Sequence, residues 1–198
     1  MICAVVLAAG LSRRMGVQKL LLPFDGETVI SNIVDQLLAS TIDEVYVVVG
    51  HQAERISTEL SGRAVSIVEN PNYKSGMLSS VRCGLQNLPE KCRAVMVVLG
   101  DQPSITTGLI DKMLQSFATT EKSILVPLHK GKRGHPILFS SHYSDEIMKR
   151  YSDVGLRGLL HSHPDDVFEL DVPTSSVLFD MDYPEDYRRE LDLNNQNM

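Results

Sequence analysis

The chain alternates between short apolar, β-branched segments and longer segments with helical periodicity, and this alternation restricts the fold more than any other feature. The apolar segments span residues 2–7, 45–49, 65–68, 94–99 and 124–126. Because these runs have no polar face, they predict strands that are buried on both sides, as in a parallel sheet.

Amphipathic segments separate these strands. Apolar residues recur at helical spacing from Val29 to Leu38, from Met77 to Leu88 and from Leu109 to Phe117. Later segments are less regular, and we expect helices near residues 142–151 and 156–161 and a strand near 176–179. The order of elements predicts a three-layer α/β/α fold with a mostly parallel, Rossmann-like sheet and right-handed crossovers.

Composition limits the function classes. A chain of 198 residues with 43% hydrophobic content fits one domain, residues 1–198. The net charge of -6 argues against nucleic acid or an anionic membrane as a general partner. With no apolar run long enough to span a bilayer and no signal peptide, we expect a cytoplasmic protein. The three cysteines lack metal-site spacing, so we expect reduced, packed thiols.

Ligands of open α/β sheets bind beyond the carboxyl ends of the strands, and three segments follow such ends here: residues 9–19, 70–76 and 100–103. The loop after the first strand reads "AAGLSRRMG" and matches neither the P-loop nor the GxGxxG pattern. It nevertheless offers a glycine that can adopt positive φ, a hydroxyl and several cations near an expected helix start, which suits a triphosphate: Gly10, Ser12, Arg14 and Lys19, with Arg13 a weaker candidate. The alternative is an ordinary loop with solvated arginines.

A carboxylate follows another buried strand, at Asp101 in "VMVVLGDQPSI". Mg²⁺ prefers carboxylates together with phosphate oxygens, so Asp101 is a candidate metal ligand. A helix cap is the competing role, but Thr106 and Thr107 lie closer to the start of the next helix.

Two later segments are rich in basic groups. The stretch "HKGKRGHPILF", residues 129–139, suits either an anionic acceptor or a plain basic turn. The pair His161 and His163 has i, i+2 spacing, which does not converge on one metal, so we interpret it as surface.

These motifs also carry a family resemblance. The stretches "LAAGLSRRMGVQK", "LGDQP", "NPNYKSGMLSSVRCGL", "RGHPILF" and "DMDYPEDY" resemble, in this order, the MobA-like nucleotidyltransferases, and most of all the molybdenum cofactor cytidylyltransferases. The resemblance implies a fold of the nucleotide-diphospho-sugar transferase type. It also implies Mg²⁺-dependent transfer of CMP from CTP to the phosphate of molybdopterin, with release of pyrophosphate. A molybdenum hydroxylase is then a possible client.

The resemblance assigns roles to individual residues. The residues expected to contact the nucleotide are Leu7, Ala8, Ala9, Gly10, Arg14, Lys19, Ser79 and Ser80. Asp101 becomes the Mg²⁺ ligand, with Asp180 or Asp182 as a second, and Asp180 preferred. The residues expected to bind the acceptor are Arg133, Gly134, His135 and Pro136. The nucleotide part then covers about residues 1–105 and the acceptor part about 106–192.

The implied reaction needs few groups. A phosphate monoester is largely dianionic at neutral pH, so the acceptor needs no general base, and Lys19, Arg14 and Mg²⁺ on Asp101 would neutralise the triphosphate. Ala9 favours CTP, because guanylyl relatives carry glycine there. The alternatives are a guanylyltransferase of the same family, a cytidylyltransferase acting on a sugar or polyol phosphate, and a nucleotide-binding cofactor chaperone.

Overall fold

The computed structural model describes residues 1–196, with side chains up to Leu193. The described strands are β1 (Ile2–Ala8), β2 (Pro23–Phe24), β3 (Glu27–Thr28), β4 (Glu44–Val49), β5 (Val65–Glu69), β6 (Ala94–Leu99), β7 (Ile124–His129), β8 (Lys132–Arg133), β9 (Ile137–Ser140) and β10 (Val167–Asp171). The helices are α1 (Val29–Leu38), α2 (Ala53–Glu59), α3 (Met77–Gln86), α4 (Thr107–Thr119), α5 (Ser144–Lys149), α6 (Leu156–Ser162) and α7 (Pro184–Gln196).

One large sheet organises the molecule. Its strand order is β10-β7-β9-β6-β1-β4-β5, with the short β8 added to β7, while β2 and β3 form a separate hairpin. β1 lies in the centre and runs parallel to both β4 and β6. β9 runs antiparallel between β6 and β7. The sheet is therefore mixed but mostly parallel, as the sequence predicts.

Both faces of the sheet are buried. Ala4 and Val6 of β1 belong to one apolar cluster with α1, α2 and α4, whereas Cys3 and Val5 belong to a second cluster with α3, α5 and α6. The three-layer α/β/α prediction is confirmed, and its physical basis is this alternation of side chains across an apolar strand.

Several local predictions need correction. Residues 176–179 do not form a strand, because Ser175–Leu178 is a 3-10 turn that buries Val177. The strands β9 and β10 and the helices α2 and α7 were not predicted. Near residues 142–151, the α-helix is shorter than expected, since a 3-10 turn at Ser141–Tyr143 precedes α5.

The three cysteines are free, and two of them, Cys3 and Cys92, are buried, in agreement with the prediction of packed thiols. Among residues 1–196, no helix combines the length and the apolar character that crossing a membrane would require.

Candidate active site

The loop after β1 is held in shape by its own polar groups. The Ser12 hydroxyl accepts a hydrogen bond from the backbone N–H of Lys19 at 3.3 Å and donates to Gln18 Oε1 at 2.9 Å. Ser12 itself takes the left-handed conformation, with φ of 48°, and Gly10 does not. The left-handed conformation that a glycine permits is therefore taken in this loop by Ser12 and not by Gly10.

No α-helix begins in this loop. Lys19–Leu21 is a single 3-10 turn, and α1 starts only at Val29. The predicted contribution of a helix N-terminus is therefore wrong, and the cations must supply the positive charge. This turn directs the Lys19 side chain inward, where only 11% of it remains exposed.

Lys19 meets two carboxylates at this point. Its ammonium group forms a short ion pair with Asp101 and a second one with Asp182 at 3.1 Å. Arg14 pairs with the other oxygen of Asp182, and its side chain is 61% exposed. Arg13 is exposed. Residues far apart in the sequence thus converge at the carboxyl ends of β1 and β6.

Close contact between these two strands explains the position of Asp101. The backbone N–H of Gly100 donates to the carbonyl oxygen of Leu7 at 3.1 Å, and a Cβ at Gly100 would lie only 2.9 Å from that oxygen. Thr106 caps α4 by accepting from the N–H of Leu109, so the cap is not the role of Asp101.

The second acidic motif is fixed through the residue between its carboxylates. Met181 is fully buried, and its backbone N–H donates to the carbonyl oxygen of Asp101 at 3.2 Å. With Met181 anchored in the core, its neighbours Asp180 and Asp182 lie on the site side. One oxygen from each of Asp101, Asp180 and Asp182 lies within 4.8 Å of the others.

Burial and charge oppose each other in this cluster. Burial raises the pKa of Asp101, and Asp180 adds to the rise, while Lys19 works in the opposite direction. Burial alone would lower the pKa of Lys19, but Asp101 and Asp182 outweigh it and hold the pKa above its ordinary value. The site therefore concentrates negative charge beyond what Lys19 neutralises.

Such a cluster suits a divalent cation. Three carboxylate oxygens form a hard donor set of the kind that Mg²⁺ and Mn²⁺ accept, and a cation bound there would offset both the burial and the Asp180 charge that raise the pKa of Asp101. Asp180 is exposed, and among the described residues no cationic group lies within ion-pair distance of it.

A cavity of about 380 Å³ opens beside this cluster. The predicted residues that line it are Leu7, Ala9, Gly10, Ser12, Lys19, Ser80, Asp101, Asp180 and Asp182. Two predicted nucleotide contacts do not: Ala8 is buried in the core, and the Ser79 hydroxyl donates to the backbone carbonyl oxygens of Asn72 and Gly76. Arg14 lines a narrower groove next to this cavity.

Sequence reasoning missed part of the wall. Tyr73, Lys74 and Met77 also line this first cavity, from the segment that follows β5. The signal was present, because residues 70–76 follow a predicted strand at the ligand-binding edge. Gly50 makes the arrangement possible, since a Cβ there would lie 2.7 Å from the Tyr73 side chain.

A second cavity of about 690 Å³ adjoins the first, and Met77, Leu99 and Asp180 line both. Its wall includes three of the predicted acceptor residues, Arg133, Gly134 and His135. Pro136, the fourth, is buried, and the peptide bond before it is cis. His161 is exposed, as expected, and also lies at this cavity, whereas His163 is half-buried and bonds to Glu146 at 3.0 Å.

Gly134 and His135 are placed by backbone contacts. The N–H of His135 donates to the carbonyl oxygen of Val177 at 2.8 Å, and a Cβ on Gly134 would lie 2.1 Å from the same oxygen. Burial lowers the pKa of His135 to about 4, with Arg157 adding to the fall and Asp180 opposing it. His135 is therefore neutral at physiological pH and contributes hydrogen bonds rather than charge.

Comparison with protein families identifies this arrangement. The profile of the MobA-like NTP transferase domain matches residues 4–167. A molybdenum cofactor cytidylyltransferase of Escherichia coli (strain K12) is 26% identical over 185 residues, which cover 92% of each chain. A nicotine blue oxidoreductase of Paenarthrobacter nicotinovorans is 28% identical over 197 residues, which cover 96% of each chain.

Solved structures agree. Rv0371c of Mycobacterium tuberculosis H37Rv superposes with a TM-score of 0.84 at 30% identity, covering 96% of this chain and 97% of its own. A second structure of Rv0371c, described as a complex with manganese, has a TM-score of 0.80 at 28% identity and covers 96% of this chain and 98% of its own. A divalent metal in that relative is consistent with the carboxylate cluster described above.

Proposed function

The chain belongs to the MobA-like NTP transferase family, and from this premise we propose that it is a Mg²⁺-dependent cytidylyltransferase that transfers CMP from CTP to the phosphate of molybdopterin and releases pyrophosphate. The observation that carries the proposal is the pairing of Lys19 with Asp101 and Asp182, in a cluster that Asp180 completes, where two cavities meet. One cavity suits a nucleoside triphosphate, and the other suits the compound that attacks it.

Transfer between two anions is mainly a problem of charge and position. Lys19 is almost buried and carries a full charge, so it would neutralise phosphate oxygens in a medium where a charge has a strong effect. The Arg14 side chain is exposed, so it can reach the β- and γ-phosphates while its backbone stays in place. A phosphate acceptor is already ionised, so these residues need to orient it and need not remove a proton.

Asp101 and Asp180 are the proposed Mg²⁺ ligands, with Asp182 close enough to join them. Bound there, Mg²⁺ would act as a Lewis acid on phosphate oxygens and would help to align the two reactants. Asp182 has a further task, because it holds Arg14 and Lys19 on opposite oxygens of one carboxylate. It thereby positions both cations before nucleotide arrives.

The choice of CTP and molybdopterin has weaker support than the reaction type. It depends on the resemblance of the motifs, on Ala9 in the first cavity and on the name of the Escherichia coli relative. Family membership alone does not specify the reaction, because another relative of comparable identity is named an oxidoreductase. Lys19 facing a carboxylate cluster is what favours nucleotidyl transfer here.

The test is a pyrophosphate-release screen on the full chain with Mg²⁺. CTP, GTP, ATP and UTP are each crossed with molybdopterin, a sugar phosphate and a polyol phosphate. We expect release with CTP and molybdopterin, and at least tenfold less with GTP. A preference for GTP would move the chain to the guanylyl group, and a preference for a sugar or polyol phosphate would replace the acceptor.

Binding of both compounds without pyrophosphate release would contradict the proposed reaction itself. If the protein binds CTP and molybdopterin but releases no pyrophosphate with any pair, the cofactor-chaperone alternative gains. A spectrophotometric assay with NADH and an oxidised dye covers the oxidoreductase outcome in the same preparation.

A further inference from the structure

The second cavity has a basic rim and an apolar interior. Lys132, Arg133, Arg157 and His161 bring potential positive charge to it, while most of the inner wall is aliphatic. Its volume of about 690 Å³ lies within the usual range for small-molecule sites. The chemistry of the wall therefore suits a compound with an anionic group at one end and an apolar or ring-shaped body.

The cations are not equivalent. Arg133, which the sequence singles out, forms an ion pair with Glu169 at 2.6 Å and so is already neutralised. Arg157 has no ion-pair or hydrogen-bond partner among the residues that the structure describes, although it lies at the same cavity. An arginine held at a cavity without a carboxylate partner is available for an incoming anion.

Helix α6 explains why Arg157 faces the cavity. Leu156, Leu159 and Leu160 are buried, and Arg157 and His161 lie one turn apart on the adjacent, exposed side of the helix, where Leu156 and Leu160 also border the cavity. The loop before the helix is fixed as well, because a Cβ on Gly158 would lie 2.2 Å from the Tyr151 ring. Packing therefore fixes the helix backbone at Arg157, while the Arg157 side chain itself is exposed.

The other end of the cavity lies at the reaction site. Asp180 lines both cavities, so an anion held between Arg157 and the carboxylate cluster is next to the nucleotide. Met77 and Val154 line the same cavity and are 56% and 57% exposed, so they offer apolar surface that a bound compound can cover. A flat ring system would cover them.

Gln102 adds an independent sign of a ligand. Its side chain lines the second cavity and is only 3% exposed, and its Oε1 atom has no hydrogen-bond partner among the described residues. A buried acceptor without a partner is costly and needs an explanation. A ring N–H group would supply the missing donor once the amide turns towards the cavity.

We propose that Arg157 receives the phosphate group of the acceptor and sets the preference for a phosphorylated ring compound, whose ring covers Met77 and Val154. This inference depends on the proposed function for the identity of the acceptor. It changes the residue assignment, since Arg157 takes the role that the sequence gives to Arg133. Arg133, held by Glu169, then supports the wall.

The test measures binding directly, in the full chain, with a pterin monophosphate and with the corresponding pterin alcohol. Loss of one charge-assisted contact lowers affinity roughly tenfold to a hundredfold. We expect the wild type to bind the monophosphate at least tenfold more tightly than the alcohol. Arg157→Ala should bring the two affinities to within about threefold, and Arg157→Lys should recover part of the difference.

Two further variants make the result specific. Arg93→Ala removes an exposed arginine directly before β6, at the opposite end of this strand from Asp101, and should keep the wild-type ratio. Arg133→Ala should reduce the ratio less than Arg157→Ala. The inference is overturned if the wild type does not distinguish the two compounds, if it binds neither, or if Arg133→Ala has the larger effect.

Turnover separates this inference from the proposed function. CMP transfer with an unchanged KM for the acceptor in Arg157→Ala would reject the role of Arg157 and leave the reaction intact. Conversely, a phosphate preference that depends on Arg157, in a protein that transfers no CMP, would keep this role and reject the proposed reaction.

Discussion

The backbone N–H of Met181 donates a hydrogen bond to the carbonyl oxygen of Asp101 at 3.2 Å. This bond joins two segments that are far apart in the sequence, and each of them carries carboxylates of the same cluster. Since Met181 is also fully buried, the distance between Asp101 and its acidic neighbours is set by the core and does not depend on a mobile loop. A metal site built in this way is preorganised.

Asp101→Asn tests the centre of the site. The change keeps the shape of the side chain but removes a negative charge that faces Lys19, so we expect pyrophosphate release to fall by a hundredfold to a thousandfold, about 3–4 kcal/mol in activation free energy. Because burial raises the pKa of Asp101, its charge costs stability without metal, and the metal-free variant should melt no lower than the wild type. Asp192→Asn, on an exposed part of α7, is the control and should keep full activity.

The two late aspartates should differ in metal binding. Asp180 has no cation partner among the described residues, whereas Asp182 is shared by Arg14 and Lys19. We therefore expect Asp180→Asn to weaken Mg²⁺ about tenfold and Asp182→Asn to weaken it less while raising KM for the nucleotide. Titration of Tm against Mg²⁺ gives the affinities, and steady-state kinetics gives KM. A larger metal defect in Asp182→Asn would reverse the assignment.

His135 should make the protein less stable in mild acid. Its pKa is about 4 in the folded chain against 6.5 ordinarily, so between these pH values the unfolded chain binds a proton that the folded chain does not. The free energy of unfolding should fall as the pH drops from 6.5 to 4, by on the order of 1–2 kcal/mol at pH 5.

The difference between variants isolates this contribution. In urea unfolding at several pH values, His135→Asn should show a shallower loss of stability across the same window, while His142→Asn, an exposed histidine, should follow the wild type. Parallel curves for His135→Asn and the wild type would mean that His135 titrates normally in the folded chain.

Gly134 should tolerate no side chain. A Cβ there would lie 2.1 Å from the carbonyl oxygen of Val177, so Gly134→Ala must push two backbone segments apart, and we expect a loss of about 2–3 kcal/mol in the free energy of unfolding. Gly108→Ala is the matched control in α4. No atom lies within 4 Å of that Cβ, and alanine favours helix, so a gain of about 0.5–1 kcal/mol is expected. Urea unfolding measures both, and equal effects would contradict the steric argument.

The central sheet and its active edge could be predicted because the information is local. Apolar β-branched runs such as Ala94–Leu99 indicate buried strands by composition alone, and parallel strands bring the segments that follow them to one edge. The convergence of Lys19 with Asp101 follows from this rule, and the short ion pair between them agrees with it.

Other features depend on contacts that the sequence does not display. The turn at Ser175–Leu178 has a strand-like composition but packs against Gly134 and His135. The carbonyl oxygen of Val177 accepts a hydrogen bond from the N–H of His135, and the segment adds no strand to the sheet. Arg133 looks like an anion ligand until Glu169 is seen beside it. The role proposed for Arg157 could not be predicted from the sequence, because it depends on which side of α6 is buried in the core.

The anchoring of Met181 also affects the order in which the parts of the site form during synthesis. Asp180 follows all ten described strands in the sequence, yet it completes a cluster that begins at Asp101. During synthesis the strands of the sheet are therefore made before the full set of acidic ligands, and the carboxylate cluster can form only on a sheet whose strands already exist.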